Sequence, residues 1–200
     1  MTNGRVFALD SYREKLRESI PQHTILGIPI HGSNAALHDH ITQAKGSFQQ
    51  TMIGLKHLLK MGTNIELRIV VSKLNQEDLP ALAELIVKEL PGVRYVSIMA
   101  MEMTGSAHVN REMLWVPYRQ SFAYVQPAID TLVRHGIDVR IYNFPLCTVQ
   151  REYWLLCKKS ISTEKIRYHE VCEHCAMKHH CGGVFAGTLT LEKEDLEPIL

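Results

Sequence analysis

Three short, nearly continuous apolar runs, Ile25 to Ile30, Ile65 to Val71 and Tyr95 to Met101, recur along the chain, each followed by residues of helical period. Runs of this length read as strands buried in a parallel sheet. Between the first two, Ser47 is the predicted N-cap of a helix with Phe48, Met52, Leu55, Leu58 and Leu59 on one face and Gly62 at its end. A second helix starts near Asn75, with Glu77 and Asp78 in its first turn, presents Leu79, Leu82, Leu85 and Ile86, and stops at Pro91 and Gly92. A third, from about Ser121, carries Phe122, Val125, Ile129, Leu132 and Val133, with Pro127 a candidate kink, and ends at Gly136 before a strand at Asp138 to Asn143. Repeated strand, helix, strand predicts an α/β fold with a parallel sheet and right-handed crossovers.

The periodicity fades after Asn143, where Cys, His and aromatic residues take over, and the last stretch, from Thr188, is acidic and reads as a peripheral tail. The predicted organisation is a parallel α/β part over 1–143, a Cys-rich segment over 144–187 and a tail over 188–200. Length and composition refine this picture: 200 residues, 46% hydrophobic and 22% charged, suit one folded domain with a small appendage and exclude a disordered chain. A formal charge of +1 with no basic stripe argues against nucleic acid as a partner. No run approaches the ~20 apolar residues of a membrane span, and no signal peptide stands at Met1 to Asp10, so a cytoplasmic location is expected.

In a reducing compartment the five cysteines suit metal or redox chemistry better than disulfides. Cys172, Cys175 and Cys181 form a C-x2-C-x5-C cluster that runs into Gly182 and Gly183. Two thiolates two residues apart can turn back onto one centre, and glycines let the backbone wrap closely and donate N–H groups to sulfur. Cys147, at the end of a predicted strand, is the favoured fourth ligand, whereas Cys157 in Trp154-Leu155-Leu156-Cys157 reads as a packing residue. On spacing alone zinc and an iron–sulfur cluster both satisfy four thiolates, and a generic zinc site is the plainer reading. His174, His179 and His180 can substitute as ligands or hydrogen-bond sulfur, and His38-Asp39-His40 reads as a solvated or capping segment more than half a metal site.

Gly32-Ser33-Asn34 follows a predicted strand, where parallel α/β folds place ligand loops. Arg68 interrupts an apolar strand and needs an anionic partner, either a ligand or Glu102 beyond the next strand. Phosphate-loop, nucleophile-elbow, H-E-x-x-H and complete dinucleotide motifs are absent from the chain.

Thr2-Asn3-Gly4, Ile28-Pro29-Ile30-His31, His38-Asp39, Lys45-Gly46-Ser47-Phe48, Leu67-Arg68-Ile69-Val70 and Met99 to Gly105 follow the order found in radical S-adenosylmethionine (SAM) enzymes. Ile141 to Cys147, Lys159-Ser160-Ile161-Ser162, Cys172, Cys175 and Cys181-Gly182-Gly183-Val184-Phe185 complete a resemblance to the C-terminal region of the His-Xaa-Ser system radical SAM maturases. The resemblance implies the latter half of a partial (β/α)6 barrel with a Cys-rich extension. It also implies an auxiliary 4Fe-4S cluster on Cys147, Cys172, Cys175 and Cys181, which reverses the preference for zinc, and SAM contacts from His31, Ser33, Arg68 and Glu102. Enzymes of this family cleave SAM reductively to a 5′-deoxyadenosyl radical; this branch modifies a peptide with His-Xaa-Ser repeats alongside a companion radical SAM maturase.

The family's C-x3-C-x2-C motif, which ligates the SAM-cleaving cluster, does not occur, and all five cysteines lie at Cys147 or beyond. The chain therefore reads as a C-terminal fragment, inactive alone, with an N-terminal half supplied in trans and an exposed strand edge near Ile25. The rival readings are a non-enzymatic zinc-binding α/β module that docks a peptide or partner protein, and a truncated gene product with no stable fold.

Overall fold

A computed structural model describes residues 1–19, 21, 23–192 and 194–200. It is an α/β protein built on a five-stranded parallel sheet. A 3₁₀ turn at Arg5–Ala8 leads into α1 (Asp10–Ser19), followed by β1 (Ile25–Pro29), α2 (Ala35–Thr42), α3 (Ser47–Lys60) and β2 (Asn64–Val71). Then come α4 (Leu79–Glu89), β3 (Tyr95–Ala100), the single turns α5 (Ser106–Val109) and α6 (Arg111–Leu114), α7 (Tyr118–Arg134) and β4 (Asp138–Tyr142). The remainder holds β5 (Cys157–Lys158), the antiparallel pair β6 (Ile166–Arg167) and β7 (Val184–Phe185), and α8 (Leu189–Glu192).

Sheet order is β1-β2-β3-β4-β5, the order of the chain itself. Among the described residues this order has no reversal of the kind that marks a doubly wound sheet. β1 pairs with β2 in parallel with Ile28 opposite Leu67 and Pro29 opposite Arg68, and β4 pairs with β5 with Ile141 opposite Cys157. β1 stands at the end of the sheet order, and Ile25 on it is exposed. Thr2 lies against this strand, its N–H donating to the Gly27 carbonyl at 3.1 Å.

By packing, the described residues fall into two compact units: Met1–Ile69, Glu77–Ser97 and Pro127–Val139 form unit 1, and Val70–Gln76, Ile98–Gln126 and Arg140–Leu200 form unit 2. The unit 1 core gathers Ile28, Leu55, Leu58, Ile65, Leu67, Leu82 and Ile86, all fully buried. β3 is buried along its whole length, as its apolar run predicts, but β2 alternates: Ile65, Leu67, Ile69 and Val71 are buried while Glu66 and Arg68 sit on a half-open face. In unit 2, Phe122 stacks edge-on against Phe144 and Tyr153. Residues 188–200, expected as a tail, supply buried Thr188, Glu192 and Leu196 to that unit.

Local chemistry explains the helix starts. Gly46, at φ +80°, is the N-cap of α3, and Ser47 is the first helical residue rather than the cap. The free N–H groups at that helix start are satisfied by Asp39 of α2, whose carboxylate accepts from Gly46 N at 2.5 Å, Phe48 N at 2.8 Å and Ser47 Oγ at 2.8 Å. These bonds hold the Asp39 carboxyl below its usual range, the Phe48 N–H most of all. Replacing Asp39 by Ala should lower the thermal midpoint by about 2–4 °C and leave the far-ultraviolet circular dichroism of the folded state unchanged. α4 begins after a 3₁₀ turn at Gln76–Asp78, and α7 starts at Tyr118 and runs through Pro127 to Arg134. Among the described residues no helix is long and apolar enough to cross a membrane.

Candidate functional site

Three of the four expected SAM residues belong to unit 1. His31 stands just beyond β1, at the carboxyl end where α/β sheets place ligands. Its backbone N–H donates to Nδ1 of buried His38 at 3.2 Å, and the two rings lie 5.4 Å apart. Burial depresses the proton affinity of both rings. His38 falls to about 4, helped by His31 and Arg5 and opposed by Asp39.

Ser33 is committed to Asp78: its N–H and its hydroxyl both donate to that carboxylate, each at 2.6 Å. Asn34 then caps α2, accepting the Leu37 N–H at 3.0 Å. The loop Gly32-Ser33-Asn34 is thus anchored at two points, and Asp78 is the residue that sequence reasoning overlooked; it showed only as an acidic helix start.

Arg68 has a carboxylate partner on its own strand, Glu66. Its Nε lies 3.5 Å from Glu66 Oε1, its Nη1 contacts Met1 Sδ at 2.6 Å, and Glu66 also accepts the Ser97 hydroxyl at 2.7 Å. Gly27, opposite Glu66 in the register, leaves room for this group: a Cβ there would sit 3.3 Å from Arg68 Cδ and 3.3 Å from Glu66 Oε2. Glu102 belongs to unit 2 and pairs with Lys165 at 3.3 Å. Two residues along a strand share a face, so Glu66 was the partner that the period-2 geometry offered Arg68 locally.

Unit 2 holds all five cysteines, each a half-buried free thiol. The Cys172 thiol interacts electrostatically with Cys175 and Cys181, and Cys147 with Cys181 and Cys172. Backbone N–H groups point at sulfur: Leu146 and Gly183 donate to Cys181 Sγ, each at 3.4 Å, and Ile199 donates to Cys175 Sγ at 3.4 Å. Burial pushes Cys147 up to about 11 and raises Cys172. Cys157 rises to about 12 for the same reason and bonds weakly to Tyr153 O at 3.8 Å, as a packing thiol would.

Thiols with backbone N–H groups aimed at Cys175 and Cys181 are the donor chemistry that a thiolate-bound metal or cluster uses. Among the described residues, no three His, Cys, Asp or Glu side chains are gathered as a bound metal ion would hold them. Of the histidines around this segment, His169 caps the 3₁₀ turn Glu170–His174 through Val171 N, and His174, His179 and His180 are exposed.

No protein-family model matches the chain. Over 119 residues it is 35% identical to the AdoMet-dependent heme synthase of Methanosarcina barkeri (strain Fusaro / DSM 804), a match that covers 60% of this chain and 33% of that protein. The likeness supports a radical SAM relationship.

The match is to a third of the relative's length, and the relative is not a His-Xaa-Ser system maturase, so the likeness supports the broader radical SAM relationship and not that narrower assignment. A radical SAM relationship implies SAM and a 4Fe-4S cluster in the family. For SAM, a zwitterion with a sulfonium and an adenosine, unit 1 offers a guanidinium, a neutral imidazole and a tethered glycine-containing loop near the carboxyl ends of β1 and β2. That donor set fits its polar end. For the SAM-cleaving cluster the chain has no C-x3-C-x2-C, so no step on that cluster is assigned to these residues.

Proposed function

We propose that this chain is the SAM-orienting part of a radical SAM enzyme and carries an auxiliary iron–sulfur site. The identity of 35% to an AdoMet-dependent heme synthase is the observation that carries the proposal. When bound, SAM with its reduced cluster supplies the radical chemistry of the family; the ligands of that cluster come from outside these 200 residues.

In this reading Arg68 and His31 hold the polar groups of SAM. Arg68 is steered by Glu66, and His31 is uncharged at neutral pH, so it offers a hydrogen bond without repelling the sulfonium. Ser33 contributes through its loop, since its hydroxyl and N–H are spent on Asp78. Cys147, Cys172, Cys175 and Cys181 hold the auxiliary 4Fe-4S cluster, with zinc on the same thiolates as the alternative. The substrate proposed from the sequence resemblance is a His-Xaa-Ser repeat peptide, processed beside a companion radical SAM maturase and with the cluster-bearing half in trans. The relative's name favours a second reading, a substrate of heme formation.

Anaerobic reconstitution with iron and sulfide tests the proposal. The expected result is equal iron and labile sulfide with charge-transfer absorption, lost in Cys172→Ala and Cys175→Ala, and SAM binding weakened about tenfold in Arg68→Ala without release of 5′-deoxyadenosine. Stoichiometric zinc without sulfide and no SAM binding would make the chain a zinc-binding module instead. Turnover of SAM by the chain alone would overturn the assignment of the radical-generating ligands to another segment.

A further inference from the structure

Unit 1 encloses a cavity of about 260 Å³ between the Arg5–Ala8 turn, α2 and the start of α3, lined by Asn3, Arg5, His31, His38, Thr42 and Ser47. Its volume is near the small end of ligand pockets, roughly 300–1,000 Å³. It opens beside Pro29 and His31, at the carboxyl end of β1.

The lining is rich in donors. Arg5 is oriented by its Nε bond to Gln50 Oε1 at 2.7 Å, and its guanidinium is close enough to His38 to lower that ring's proton affinity. His38 is 2% exposed and accepts the His31 N–H on Nδ1, so its hydrogen resides on Nε2 and that nitrogen is a donor. Asp39, the neighbour of His38 in α2, is spent on Gly46 N, Phe48 N and Ser47 Oγ. A cation there would meet a guanidinium with no carboxylate among the described lining residues, whereas an oxyanion would meet a permanent positive charge and amide and imidazole donors.

We propose that this cavity binds a small oxyanion, the carboxylate or phosphate end of a ligand, with Arg5 as its charge partner. The proposal stands apart from the SAM reading, with which the cavity shares only His31.

The test uses the full chain and inorganic phosphate or acetate, followed by the His31 and His38 imidazole resonances. Saturable shifts are expected. Arg5→Gln should weaken binding about ten- to a hundredfold, Ala44→Leu, which fills the cavity while leaving Arg5 in place, should abolish it, and Arg151→Gln in unit 2 should leave it unchanged. Shifts that never saturate, or affinity retained in a folded Arg5→Gln or Ala44→Leu protein, would overturn the proposal. If Arg5→Gln does not fold, Ala44→Leu decides. Addition of SAM separates the sources: displacement of phosphate assigns the anion to SAM's own carboxylate, and undisturbed phosphate binding assigns it to a second ligand. Failure of SAM to bind while phosphate binds would sink the SAM reading alone.

Discussion

The native protein is expected to lose stability as pH rises from about 6.5 to 8, and Glu192→Gln to abolish that fall. Glu192 is fully buried in unit 2; its Oε1 accepts the Tyr118 N–H at 2.8 Å at the start of α7, and its Oε2 is buried with no partner among the described residues. Burial is the main cause that lifts its carboxyl from 4.5 to about 8; Asp195 adds to the rise, and the Tyr118 N–H and Arg119 oppose it. The folded state therefore holds a proton that the unfolded chain releases. The stability this gives is whole below about 4.5, declines as pH climbs, and is gone above about 8.

A displacement of that size corresponds to about 3–5 kcal/mol, a large share of a typical domain's stability. His38 works the other way: its affinity is lowered to about 4, so the unfolded chain takes up its proton below 6.5 and stability rises with pH across that range. The two slopes offset each other in mildly acidic solution, which is why the Glu192 effect emerges above pH 6.5. Urea titrations of wild type and Glu192→Gln at pH 6, 7, 8 and 9 are the check; parallel pH profiles would show that the carboxyl is ionised throughout.

Gly54→Ala should destabilise the protein by about 2–3 kcal/mol although alanine is the better helix former by about 1 kcal/mol. Gly54 lies inside α3 where that helix rests on the Arg5–Ala8 turn, and a Cβ would sit against the Gly4 carbonyl oxygen, at 2.2 Å if nothing moved. Neither side can yield cheaply. The obstacle is backbone; Gly4 is itself at φ +75° with Ile28 behind it, and the contact is pinned by Thr51 Oγ1 to Asn3 O at 3.3 Å and His57 Nδ1 to Phe7 O at 3.0 Å. Steric cost exceeds propensity here. A urea midpoint at or above that of wild type would show that the turn moves freely away from α3.

Some of this architecture was readable because burial imposes a pattern that a sequence displays. The apolar runs at Ile25, Ile65, Tyr95 and Asp138 to Asn143 became β1 to β4, and the helices with the expected apolar faces, α3, α4 and α7, formed within a few residues of their expected bounds. α2 escaped notice because His38-Asp39-His40 looks polar, though Asn34 ahead of Ala35-Ala36-Leu37 was an N-cap signal. β5 spans two residues, too few for any period to register. Glu66 was hidden by an expectation that β2 is apolar on both sides, when its alternation exposes one face.

Identity and order of residues by themselves determined the α/β class, the parallel strands, the clustering of thiols beyond Cys147 and the absence of a C-x3-C-x2-C triplet. Tertiary structure alone decided which partner each of these charged groups meets: Asp78 on Ser33, Asp39 on the start of α3, Lys165 on Glu102 and Glu192 on Tyr118. The physical reason is range. Hydrophobic period reflects a residue's immediate neighbours along one element, whereas a buried polar group takes its partner from whatever the folded chain brings within hydrogen-bond reach, here as far as 74 positions away.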